Sequence, residues 1–148
     1  MKPALSIILF TTIAGAAQGM VVALALATLA GMAPATALAP LLWAATGMLL
    51  VALVASFFHL GHPLRAWRTV LMWRTSWMSR EVIVLPAFIA MVGGWALLAT
   101  LGQGDAVAPH WLAGMSIAGA VLLWYCTAMI YACIRFIQEW AHPLTIVN

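Results

Sequence analysis

Four stretches of this chain, residues 5–29, 41–60, 82–101 and 112–134, run without a single acidic residue, lysine or arginine. Each reaches the roughly 20 apolar residues that cross a hydrocarbon core of about 30 Å. Lipid offers no partner to a backbone N–H or C=O, so a crossing segment must satisfy its own hydrogen bonds, as a helix does. The runs also lack the polar–apolar alternation of a barrel strand. Composition closes off the soluble alternative. Of 148 residues, 66% are hydrophobic and 6% charged, against about 45–50% and 25% in soluble domains. The expected fold class is therefore all-α: an integral membrane four-helix bundle, read as one membrane domain over residues 1–148.

The N-terminus imitates a secretory signal, with Lys2, the apolar run Leu5 to Ile13 and the small residues Ala14-Gly15-Ala16. The apolar run continues through Gly19 and Met20 to Leu29, however, which favours a retained first helix. Gly15 and Gly19 form a small-xxx-small pair of the kind that lets membrane helices approach closely. Cys126 and Cys133 stand about 10 Å apart along one helix axis, beyond disulfide reach, and read as inert core residues.

An even number of spans gathers the N-terminus, the segment 61–81 and the C-terminal tail at one end. That end carries Lys2, Arg65, Arg68, Arg74, Arg80 and Arg135 with Glu81 and Glu139, a net +4, and leaves Asp105 alone at the other. The positive-inside rule makes the arginine-rich end cytoplasmic. Tryptophan favours headgroup depth, and the spans place Trp43 and Trp111 at one interface and Trp67, Trp73, Trp77 and Trp140 at the other. Trp95 and Trp124 fall inside spans, as packing or lipid contacts.

Only the segment SFFHLGHPLRAWRTVLMWRTSWMSREV from Ser56 is chemically rich. Pro63 suits a first helical turn. Leu64, Trp67 and Leu71 then share one face, the pattern of a short interfacial amphipathic helix between spans two and three. His59 closes the second span and Glu81 opens the third, at similar depth on the same side. An imidazole and a carboxylate there can hydrogen-bond a hydroquinone hydroxyl and take up its protons, and ionisable groups in a span point to function. The plainer reading stays beside it. Ser79 is a good N-cap residue, which makes Glu81 a first-turn carboxylate favoured by the helix dipole. On that reading His59 is an interfacial histidine bonded to the loop, and Arg80 simply neutralises Glu81.

The runs His59-Leu60-Gly61-x-Pro63-x-Arg65-Ala66 and Ser76-Trp77-Met78-Ser79-Arg80-Glu81 resemble the signature of the membrane anchor subunit of dimethyl sulfoxide reductases and related molybdenum oxidoreductases. Phe10-Thr11-Thr12 and Gln18-Gly19 in the first span, and Trp140-x-His142-Pro143-Leu144-Thr145 in the tail, extend the resemblance over nearly the whole chain. It implies a subunit of the bacterial inner membrane with no haem or metal of its own. Such a subunit oxidises menaquinol and holds an iron–sulfur electron-transfer subunit and a molybdopterin catalytic subunit at the membrane. The family's quinol-site histidine and carboxylate map onto His59 and Glu81, with Arg65 and Arg80 as further quinol-binding candidates. Arg65, Arg68 and Arg74 are the candidates for docking the partner or anionic lipid. Nucleic acid is not among the expected partners.

The resemblance is to eight-helix proteins, so the chain corresponds to the N-terminal half of such an anchor, as a fragment or as a half-length relative. It places the iron–sulfur partner on the side of the quinol site. An exported partner would reverse the orientation drawn from charge. Three other functions compete: a purely structural anchor or assembly subunit without a quinol site, a di-haem cytochrome, and a transporter. His59, His62 and His142 share one side and His110 lies on the other, with none at mid-span, which argues against facing axial ligands. The spans hold no mid-membrane charge, which argues against a transporter.

Overall fold

The computed structural model describes residues 5–33, 35–58, 71–74, 76–102 and 108–132. They form four helices: α1 (Leu5–Leu29), α2 (Ala35–Phe57), α3 (Trp77–Thr100) and α4 (Ala108–Ala132). All four are long and apolar enough to cross a membrane, and the described residues contain no strand. The interfacial helix expected from Pro63 to Leu71 falls largely outside the described residues.

The helices differ from the hydrophobic runs at their ends. α2 begins at Ala35, ahead of the apolar stretch 41–60, and carries Pro40 inside it. Pro40 is the sixth residue of α2, so it leaves the Thr36 carbonyl without an intrahelical donor, a loss that helices packed in a membrane bundle tolerate. α3 begins at Trp77, with the extended Ser76 at its N-cap position. Glu81 consequently lies past the first turn, and Ser79 is a buried helical residue. The capping account of Ser79 and Glu81 does not hold, because the backbone turns helical ahead of Ser79.

Gly31 ends α1 with φ 69°, the left-handed conformation that lacks a Cβ penalty only in glycine. Its N–H donates to the Thr28 carbonyl at 3.1 Å and the N–H of Met32 to that of Ala27 at 2.8 Å. These two bonds make a Schellman cap, which satisfies carbonyls that lipid cannot. The short turn reverses the chain, so α2 returns antiparallel to α1.

Each helix packs on two neighbours, α1 on α2, α2 on α3, α3 on α4 and α4 on α1, a closed up-down-up-down ring. Helices α1, α2 and α4 turn many small side chains inward, among them Ala14, Ala17, Ala25, Ala45, Ala113 and Ala120. Bulk is supplied by α3, whose Phe88 and Trp95 are among the largest fully buried side chains. Lipid tails are as apolar as leucine, so membrane helices associate through such close packing. The tightest point is Gly119 on α4: a Cβ there would stand 2.9 Å from Phe88 Cδ2 and 3.0 Å from Met91 Cε.

Gly15 and Gly19 have no such role within the bundle. Nothing lies within 4 Å of where their Cβ atoms would be, because α1 turns the neighbouring Ala14 and Ala17 inward. The two mid-helix tryptophans divide: Trp95 is 1% exposed in the core, while Trp124 is 45% exposed on the lipid-facing surface. At the end opposite the arginines, Trp43 Nε1 donates to Thr100 Oγ1 at 3.0 Å, and Trp111 is exposed. Both fit headgroup depth.

Candidate functional site

The ring brings the start of α3 beside the end of α4, at the arginine-rich end. Arg80 fastens the approach to α3. Its Nε donates to the Trp73 carbonyl at 3.0 Å and its Nη2 to the Arg74 carbonyl at 3.2 Å. The guanidinium also lies 4.0 Å from the Trp77 ring centroid, a cation–π contact. Trp77 in turn meets Tyr125 of α4 edge-on, with centroids 5.4 Å apart and planes at 83°. Arg80, which the sequence suggests as a quinol ligand or a neutraliser of Glu81, thus has its fork engaged by the turn that precedes α3.

Replacing Arg80 with glutamine removes the charge and both carbonyl contacts. We expect the turn at residues 71–74 to loosen by about 1 kcal/mol, read as faster amide exchange there with α3 protection beyond Val84 unchanged. Equal exchange in both proteins would show that Arg80 does not fasten the turn.

The next residue, Glu81, is half-buried against α4. The Thr127 hydroxyl donates to Glu81 Oε1 at 2.8 Å. Buried Cys126 lies within electrostatic range of both Glu81 and Arg80. A carboxylate inside a span is costly to keep ionised unless it is hydrogen-bonded or paired, and Thr127 supplies a donor. Interhelical hydrogen bonds in membranes average only about 0.6 kcal/mol. Bundle stability alone is thus a weak reason to put an ionisable group here.

Of the other expected site residues, Arg74 is exposed, with its guanidinium 5.5 Å from the Trp73 ring centroid. His59, Arg65 and Arg68 lie outside the described residues. Among the described residues, no three of His, Cys, Asp and Glu come together as a metal-ligand set. The sequence reading missed Thr127, which is far from Glu81 along the chain. Depth was the available signal: Glu81 lies just over one turn from the start of α3 and Thr127 a comparable distance from the end of α4, so an antiparallel pair sets them level.

The family model for the DMSO reductase anchor subunit (DmsC) matches residues 1–148. A sulfite dehydrogenase subunit of Allochromatium vinosum is 43% identical in an alignment that covers 100% of this chain and 50% of that protein. The anaerobic dimethyl sulfoxide reductase chain YnfH of Escherichia coli is 33% identical over 60% of this chain and 30% of its own length. The chain therefore spans half, or less, of the length of these relatives. No solved structure matches it.

Proposed function

Because this chain belongs to the DMSO reductase anchor subunit family, we propose that it anchors an oxidoreductase complex in the bacterial inner membrane and exchanges electrons with the quinone pool. Glu81 carries the reading: a carboxylate within a membrane span, held at one oxygen by Thr127. Menaquinol would bind between His59 and Glu81, with Arg65 at the same end. Oxidation releases two electrons and two protons. Glu81 and His59 accept the protons, and the electrons pass to an iron–sulfur subunit that serves a molybdopterin catalytic subunit. Arg65, Arg68 and Arg74 would meet acidic partner surface or anionic lipid. By charge count this end is cytoplasmic.

A second reading concerns direction. The relative that is 43% identical across the whole chain is a sulfite dehydrogenase subunit, and a dehydrogenase sends electrons away from its substrate. On that pattern the same site reduces quinone, with Glu81 and His59 donating the protons. The residues serve either direction, which the partner's potential sets.

A photoreactive quinone in native membranes tests the site itself. Label is expected on residues 59–81 and on α4 near Thr127, and to be displaced by excess menaquinone analogue. Displaceable label confined to the opposite end of the bundle, around Trp43 and Trp111, would overturn the proposal.

A further inference from the structure

Threonines in these helices mostly bond their own backbone. The hydroxyls of Thr11, Thr28, Thr46 and Thr100 donate to the carbonyl four residues earlier, at 2.8–3.0 Å. That is the usual recourse of a hydroxyl in lipid. Thr127 departs from the pattern. It has one hydroxyl proton, and that proton crosses the α3–α4 interface to Glu81 Oε1.

We propose that Thr127 is a positioning residue for Glu81, holding the carboxylate in the orientation in which it exchanges a proton with bound quinol; this rests on the quinone-site reading above. A glutamate side chain has three rotatable bonds, and its carboxylate rotates broadly about the last of them. A donor on a packed helix removes much of that freedom before the substrate arrives, and reaction geometry prepared in advance lowers the barrier rather than tightening binding. The anchor is firm. Cys126, next to Thr127, is buried, as is Leu123 one turn earlier, and Trp77 packs on Tyr125 beside it.

The test uses the assembled complex in its membranes, with a short-chain quinol analogue as the electron donor. Thr127→Val keeps the shape of the side chain and removes the donor. It should lower kcat about ten- to a hundredfold, as loss of a hydrogen bond to a charged group does, with little change in KM. Thr127→Ser, which keeps the hydroxyl, should stay close to the parent. If both variants lose activity equally, packing rather than the donor matters and the proposal fails. If Thr127→Val keeps full kcat while Glu81→Gln is inactive, the quinone site stands and the role of Thr127 is overturned. Full activity in Glu81→Gln would overturn both.

Discussion

Exchanging Glu81 for glutamine is expected to cut electron transfer between quinone and the partner about 10²- to 10⁴-fold, the usual contribution of a positioned proton acceptor, while the complex stays on the membrane. Glutamine keeps the length and shape of the side chain, and its amide oxygen can still accept the Thr127 hydrogen bond. It cannot take a proton from a quinol hydroxyl near neutral pH. The fold therefore has little reason to respond, and the chemistry has every reason to. Arg80 is held by the Trp73 and Arg74 carbonyls and the Trp77 ring, contacts that the exchange leaves in place. Two assays on one membrane preparation check this: quinol-driven turnover, and turnover of the partner fed directly by an artificial donor. Only the first should fall. Unchanged quinol-driven turnover would leave the chain as a structural anchor.

The largest expected loss of stability lies elsewhere, at Gly119. A methyl there would press on the Phe88 ring at 2.9 Å and on the Met91 methyl at 3.0 Å. Met91 ends in a flexible chain and can swing aside, but Phe88 is fully buried and its ring has no comparable freedom. Gly119→Ala should therefore cost about 1–3 kcal/mol, the range for an overpacked core. Gly119→Leu should reach the top of that range or pass it, because the added branch has to force α3 away from α4. Denaturant unfolding in detergent measures both, and Phe88→Leu should restore much of the Gly119→Ala loss through non-additivity. A Gly119→Leu protein as stable as the parent would show that the two helices are not in close contact there.

This second change also bears on the first. Glu81 and Thr127 lie on the same pair of helices that Gly119 allows to meet, so parting them lengthens the hydrogen bond to Glu81. A drop in quinol turnover in Gly119→Ala is the expected side effect.

Apolar length by itself determined that the chain forms four membrane helices, since no other structure of that composition satisfies its backbone in lipid. The even number of spans determined which ends lie together, and the arginines gather at one of them because a charged side chain avoids the bilayer centre. The motif around His59 and Glu81 pointed to the family, and the match over residues 1–148 bears this out. Helix starts were less legible: α3 opens at Trp77, ahead of its apolar run, because polar residues at headgroup depth can be helical, with Ser79 packed into the bundle and Arg80 bonded to the preceding turn. The inward faces were marked only by scattered polar residues such as Gln18, Thr28, Thr46 and Ser116, which are buried. Polar residues in the spans are too few to draw a continuous stripe that distinguishes Ala14 and Ala17, which pack, from Gly15 and Gly19, which face outward. The pairing of Glu81 with Thr127 was hidden for the same reason. It depends on which sides of α3 and α4 meet, and that is decided where Gly119 makes room for Phe88, by packing that only the assembled bundle supplies.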